Sequence, residues 1–192
     1  MNNLNKEQEI LKILFKEFRE NYNSRSLSKK IGISHAGAFK ILKKLENNNK
    51  VIGKRIGNAV IYSLNLKDKI TEREVEIAIT LESKNYNKWV EEFSELNKAS
   101  NLIILFGSIL RNEKEAKDID ILIVAEKSQL KNIKSKVEKK KSILSKPLHV
   151  LYQDKEDFFK DIKANNKVML DILKTGIVLH GADKLIEIII GL

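Results

Sequence analysis

The chain has 192 residues, a formal net charge of +10 and no cysteine. A hydrophobic fraction of 42% with a single proline is typical of a folded globular protein and argues against an intrinsically disordered one. The lack of cysteine excludes disulfides and thiolate-bound structural zinc. Because no run approaches the ~18 to 20 apolar residues of a membrane span, we expect a cytoplasmic protein without a membrane segment.

The positive charge is unevenly distributed along the chain. Residues 1–66 contain 13 Lys and Arg against 5 Asp and Glu, which leaves a net charge of only +2 for residues 67–192. A basic region of this kind is typical of a domain that binds DNA or RNA, although lysine-rich surfaces also serve solubility alone. The length allows two compact units, and we assign the nucleic-acid partner to the first of them.

The first third of the chain shows the pattern of three helices. Asn5 can cap the first helix, and apolar residues then recur at helical spacing. Gly32 can end the second helix, since glycine accepts the left-handed conformation found there, and Ser34 can cap the third. The expected helices cover about 6–19, 27–31 and 35–47.

Two runs with β-strand character follow, 51–56 and 59–64, joined by the two-residue connection Gly57-Asn58 that is typical of a hairpin. The order of three helices and a hairpin resembles the winged-helix domains of prokaryotic transcription regulators, over residues 5–66. The resemblance implies DNA binding, with the third helix in the major groove.

On this interpretation the third helix and the hairpin carry the DNA contacts. His35 could reach a base edge and Phe39 a thymine methyl, whereas the basic residues would meet phosphates. The exposed start of the third helix has no Arg, Asn or Gln for bidentate base recognition, so we expect low sequence specificity. The alternative is a winged helix used for protein contacts or dimerisation, and helix-turn-helix proteins are often homodimers. The candidate DNA-binding residues are His35, Phe39, Lys40, Lys43, Lys44, Lys54 and Arg55.

Residues 68–99 are predicted to form a connecting helix that packs on the C-terminal domain. A charged start is followed by apolar residues at a period near 3.6. Trp89, the only tryptophan, is expected to anchor this helix in the core rather than to stack on a base.

The most informative segment lies between residues 102 and 124. A buried strand, 102–106, ends in Gly107-Ser108, and after nine further residues Asp118-Ile119-Asp120 opens a second apolar run. Because side chains alternate along a strand, the two carboxylates are expected to lie on one face. Such a pair can hold Mg²⁺ or Mn²⁺, which neutralises a triphosphate and aligns an attacking hydroxyl.

This spacing resembles that of the polymerase-beta-like nucleotidyltransferase superfamily, above all the minimal nucleotidyltransferases of archaea and bacteria, over residues 85–181. The resemblance implies ATP or another nucleoside triphosphate as substrate. Minimal members act as antitoxins that modify a partner toxin, so a toxin-like partner protein is also implied. The positions that match the family pattern are Gly107 and Ser108 for phosphates, Arg111 for a basic group, and Asp118 and Asp120 for the metal.

The chain departs from this family pattern at several positions. Asn112 replaces a frequent glycine and Lys117 a frequent serine, and neither change removes a catalytic group. The third carboxylate of active members is expected on strand 147–152, where alternation points to His149 instead of an acid. His149 could act as a base, transfer could weaken or stop, or the residue could be an ordinary strand histidine. Asp154, further along, is expected to cap a helix.

The sequence therefore predicts an α+β protein: a winged helix-turn-helix over 1–67, a connecting helix over 68–99, and a nucleotidyltransferase-type mixed sheet with flanking helices over 100–192. The expected function is transfer of a nucleoside monophosphate to a protein or small-molecule hydroxyl, with the catalytic group Asp118, Asp120 and His149. One alternative is a DNA-binding regulator or antitoxin-like protein whose second domain senses nucleotide or a partner. Another is a tRNA-modifying or other nucleic-acid-processing enzyme.

Overall fold

The computed structural model describes residues 4–192. It divides into two compact units, the first ending at Glu82 and the second covering Ser83–Leu192. The expected α+β class is confirmed: the first unit combines helices with an antiparallel hairpin, and the second contains a four-stranded mixed sheet. Within the described residues, no helix has both the length and the apolar character that crossing a membrane requires.

Three helices open the first unit: α1 (Lys6–Lys16), α2 (Ser24–Ile31) and α3 (His35–Asn47). Gly32 ends α2 in the left-handed conformation with φ +67°, and the Ser34 hydroxyl caps α3. Two boundaries differ from expectation: α1 ends at Lys16, and α2 begins three residues before the expected start. The reason for the second difference is Asn23, whose side chain accepts hydrogen bonds from two backbone N–H groups and so caps the helix.

The hairpin consists of β1 (Val51–Ile56) and β2 (Ala59–Leu64), which pair antiparallel with Ile56 opposite Ala59. Gly57 has φ +58° at the turn, a conformation that glycine adopts without a steric penalty. The hairpin connection and the helix-turn-helix order are therefore as the sequence predicts.

The expected continuous helix over 68–99 is interrupted. Helix α4 (Lys69–Ser83) is followed by a one-turn 3₁₀ helix (Lys84–Tyr86), helix α5 (Asn87–Glu92) and a second 3₁₀ turn (Ser94–Leu96). All but the last residue of α4 belong to the first unit, where Glu82 forms ion pairs with residues of α1, and the later segments belong to the second. Helix α4 thus ends next to the boundary between the two units.

The sheet of the second unit contains β3 (Leu102–Phe106), β4 (Ile119–Ala125), β5 (Leu148–Asp154) and β6 (Ile177–His180). The strand order is β5-β4-β3-β6. Strand β3 runs antiparallel to both β4 and β6, whereas β4 and β5 are parallel. A parallel pair needs a crossover connection, which α6 (Lys127–Lys141) provides.

Both faces of the sheet are covered. One face, with Ile103 and Ile121, packs in a core with Trp89 of α5 and Ile133 of α6, which agrees with the expected packing role of the tryptophan. Three helices lie on the other face: α7 (Lys155–Lys163), α8 (Lys167–Thr175) and α9 (Ala182–Ile190). Helix α7 contacts β4 and β5, while α8 and α9 contact β3. Asp154 caps α7 as expected, by accepting a hydrogen bond from a backbone N–H in its first turn.

Candidate active site

Three ionisable side chains meet where β4 and β5 begin. The parallel register places Ile119 beside Leu148 and Asp120 beside His149. Ile119 and Leu148 are both buried in the core that contains Trp89. Because side chains alternate along each strand, Asp120 and His149 point to the opposite face.

The His149 imidazole lies close to both carboxylates. Its Nδ1 is 3.5 Å from Asp118 Oδ2 and 3.5 Å from Asp120 Oδ1. One ligand atom from each of the three residues can be chosen so that all three lie within 4.8 Å of one another. Two carboxylates and an imidazole are a donor set that divalent cations accept, so the side chains fit the metal that this spacing predicts.

The two carboxylates repel each other at this position. Burial, followed by the negative charge of Asp118, raises the pKa of Asp120, and the neighbouring His149 only partly opposes this rise. The side chains of Asp118 and Asp120 keep 33% and 23% of their accessible surface, so the pair remains open to a ligand. A divalent cation would relieve the repulsion.

The Asp120 carboxylate lies so close to residue 107 that this residue has to be glycine. Its backbone has φ +84° and ψ −157°, a combination that essentially only glycine adopts. A Cβ atom at residue 107 would collide with Asp120 Oδ2 and lie 3.1 Å from Asp120 Cγ. The glycine therefore lets the carboxylate approach the end of β3, where Phe106 pairs with Asp120.

Ser108 and Arg111 lie at the two ends of the short segment that follows. Ser108 opens a one-turn 3₁₀ helix (Ser108–Leu110), and its Oγ is 3.5 Å from Asp118 Oδ1. Arg111 follows this turn and is exposed. Within residues 4–192, neither Arg111 nor the exposed Lys117 forms an ion pair, so both side chains are available to an anionic ligand.

Lys146 helps to position the loop before Asp118, a role that the sequence pattern does not indicate. Its Nζ donates to the backbone carbonyl oxygens of Glu113, at 2.9 Å, and of Ala116. Both carbonyls belong to the loop that joins the 3₁₀ turn to Asp118, so Lys146 holds this loop against the start of β5. Nothing in its sequence position, beyond the proline that follows it, distinguishes it from the other lysines.

In the first unit, five of the seven candidate DNA-binding residues lie on α3 and two on β1. Phe39 is 46% exposed, and His35 Nε2 is 2.8 Å from Ser24 Oγ. Lys40 and Lys54 are exposed and form no ion pair within the described residues. The remaining three residues already have partners. Lys43 forms an ion pair with Glu46 at 2.6 Å, and Lys44 forms one with Glu7 at 2.5 Å. Arg55 donates a weak hydrogen bond to the carbonyl oxygen of Gly57 at 3.4 Å.

Residues 87–174 match the family model described as Nucleotidyltransferase domain. This range contains all six residues of the candidate active site: Gly107, Ser108, Arg111, Asp118, Asp120 and His149. None of the curated proteins matches the chain significantly in sequence.

Among solved structures, similar chains include a variant of ZitR from Lactococcus lactis (20% identity, TM-score 0.37, 47% of this chain and 60% of that one). The adhesin competence repressor AdcR from Streptococcus pyogenes has 16% identity and a TM-score of 0.38, over 47% of this chain and 64% of that one. Wild-type ZitR in complex with DNA has 24% identity and a TM-score of 0.34, over 47% and 63%. The chain thus spans less than two thirds of the length of each of these structures.

Proposed function

We propose that this protein is a metal-dependent nucleotidyltransferase that moves a nucleoside monophosphate from a nucleoside triphosphate to a hydroxyl group of a protein or small molecule. The observation that carries the proposal is the cluster of Asp118, Asp120 and His149 within the segment that matches the nucleotidyltransferase domain. The cluster lies directly beside Gly107, where a triphosphate needs a close approach to the backbone.

Each group has a role in this reaction. Asp118 and Asp120 would hold Mg²⁺ or Mn²⁺, which when bound supplies neutralisation of the triphosphate charge. Ser108 offers a hydroxyl to the phosphates, and the exposed guanidinium of Arg111 can bind a phosphate oxygen. The acceptor oxygen forms a bond to the α-phosphorus, pyrophosphate leaves, and the hydroxyl proton passes to a base or to solvent. His149 stands at the third position of the site, as a ligand or as the base.

The first unit would bring this activity to DNA. Its positive charge, the exposed Phe39 and the unpaired Lys40 and Lys54 support binding to a phosphate backbone. Lys43 and Lys44 would have to give up their carboxylate partners before they could contact phosphates, so we assign them a smaller share. A toxin-like partner protein as acceptor and a homodimeric state belong to the same proposal.

The test incubates the protein with α-labelled ATP or another labelled triphosphate in the presence of Mg²⁺ or Mn²⁺. Transfer of the label is measured to the chain itself, to the products of adjacent genes and to small hydroxyl compounds. The double variant Asp118→Asn/Asp120→Asn should lose activity at least about a hundredfold, since a bound metal supplies several kcal/mol of transition-state stabilisation. Asp171→Asn, which changes an exposed carboxylate on α8, is the matched control. Undiminished transfer by the double variant would refute the proposed site.

A second candidate function is a DNA-binding regulator whose second unit senses nucleotide with little turnover. It is favoured by a single observation, the histidine at the position where active nucleotidyltransferases are expected to have a third acid. Gel shifts of the full chain on duplex DNA, with and without triphosphate, distinguish the two. Nucleotide-dependent retention of DNA without any label transfer supports the regulator, and transfer that is independent of DNA supports the enzyme.

A further inference from the structure

We infer that His149 makes this site selective for a divalent transition-metal ion, with Mn²⁺ bound in preference to Mg²⁺. The inference rests on the proposed function for the identity of the site, and it goes beyond that function by naming the metal class and the residue that sets it.

The backbone position of His149 is set by the sheet. His149 is paired with Asp120 in the parallel register of β4 and β5, and the preceding residue, Leu148, is 97% buried and holds the strand in the core. The nitrogen that faces both carboxylates is Nδ1, at 3.5 Å from each. The histidine is thus aimed at the place between the two acids, although 63% of its side chain is exposed.

Among residues 4–192, no third carboxylate joins Asp118 and Asp120 to complete an all-oxygen site. Asp154, the next acid along β5, lies five residues further, about 17 Å away along an extended strand. It caps α7 and pairs with Lys127 at 3.3 Å. Within the described residues, Asp118, Asp120 and His149 are the one group of three such side chains close enough to share a cation.

This donor set discriminates between the two metals that nucleotide chemistry commonly uses. Mg²⁺ is a small, hard ion that binds oxygen ligands and gives up its water reluctantly. First-row transition ions accept imidazole nitrogen, and Mn²⁺ among them also binds carboxylate and phosphate oxygen readily. Exchange of a carboxylate for a neutral imidazole also removes one negative charge, which weakens binding of an ion held mainly by electrostatic attraction.

The experiment measures metal binding to the full chain without nucleotide. Calorimetric titrations with MnCl₂ and MgCl₂ are compared for the wild type, His149→Asp and the control His180→Gln, which removes a half-buried imidazole elsewhere in the same unit. We expect the wild type to bind Mn²⁺ more tightly. In His149→Asp the ratio of the two affinities should shift towards Mg²⁺ by on the order of tenfold or more, the size of effect seen when groups that support a metal ligand are changed. His180→Gln should leave the ratio unchanged.

A second measurement has its main result in the wild type, where it does not depend on the folding of any variant. Pulsed EPR of the Mn²⁺-loaded wild type should show coupling to a directly bound nitrogen nucleus, and His149→Asp should lose this coupling. Equal affinity of the wild type for both metals, an unchanged affinity ratio in His149→Asp, or a missing nitrogen coupling each overturns the inference. These outcomes are separable from failure of the proposed function: tight, nitrogen-coupled Mn²⁺ binding without label transfer refutes the transferase but leaves the metal preference standing.

Discussion

Replacement of Gly107 by alanine should disable the site through the backbone, without removal of any functional group. At φ +84° and ψ −157°, a non-glycine residue costs on the order of 1–3 kcal/mol. The added methyl group would also meet the Asp120 carboxylate, whose Cγ would lie only 3.1 Å from the new Cβ. The second unit can keep its backbone only if the Asp120 side chain moves away from residue 107.

Gly107→Ala should lower both the stability of the second unit and the transfer rate. The free energy of unfolding should fall by about 1–3 kcal/mol. The transfer rate should fall by about a hundredfold, since a displacement of roughly 1 Å in a catalytic group has that effect. Chemical denaturation measures the first quantity, and Mn²⁺ titration together with the label-transfer assay measures the second. Mn²⁺ affinity should fall together with the rate, because Asp120 is a proposed metal ligand.

Two glycine variants control for the backbone effect. Gly32→Ala also forces alanine into a positive φ, +67°, but its methyl group would have no atom within 4 Å, and it lies in the first unit. It should lower stability without any change in Mn²⁺ binding. Gly191→Ala, at an ordinary negative φ in the second unit, should be close to neutral in both. Should Gly107→Ala lose stability yet bind Mn²⁺ with wild-type affinity, the glycine does not position Asp120.

Three further predictions concern charge. Burial and the neighbouring carboxylate raise the pKa of Asp120, so its ionised form opposes folding above that pKa. Asp120→Asn should therefore raise the free energy of unfolding at neutral pH. This gain should shrink as the pH falls, because the wild-type carboxyl then takes up its proton. An equal gain at all pH values would contradict this. Glu82→Gln removes the carboxylate that lies 3.0 Å from the buried Lys16. It should lower the stability of the first unit by about 3 kcal/mol, measured by denaturant unfolding. The additional change Lys16→Met should restore most of this lost stability. Lys40→Ala and Lys54→Ala should each weaken duplex binding and lower the salt dependence of the binding constant by about one ion; gel shifts at rising salt with an unchanged slope would argue against phosphate contacts there.

Much of the local structure follows from residues close together in the chain. The Gly57-Asn58 hairpin, the left-handed end of α2 at Gly32 and the cap of α7 by Asp154 all agree with expectation. Each depends on backbone preferences and on side chains within three or four residues, which the sequence displays directly. The shared face of Asp118 and Asp120 follows from strand alternation for the same reason.

Other features could not be read locally. The sequence predicts one helix over residues 68–99, yet α4 ends at Ser83, next to the boundary between the two compact units. The pairing of Lys44 with Glu7 joins residues 37 positions apart, and it gives a carboxylate partner to a lysine that is expected to contact phosphate. Lys146 bonds to carbonyls some 30 positions earlier, and nothing in the order of residues indicates this.

The sequence alone therefore predicts the three helices and the hairpin of the first unit, the strands that carry Asp120 and His149, and the face on which the two acids lie, because these depend on periodicity and short-range preferences. Only the tertiary structure decided which strands are neighbours. The parallel pairing of β4 with β5 is what brings His149 to 3.5 Å from both carboxylates. That distance is set by packing between residues some thirty positions apart in the chain, and it turns two acids and a distant histidine into one site.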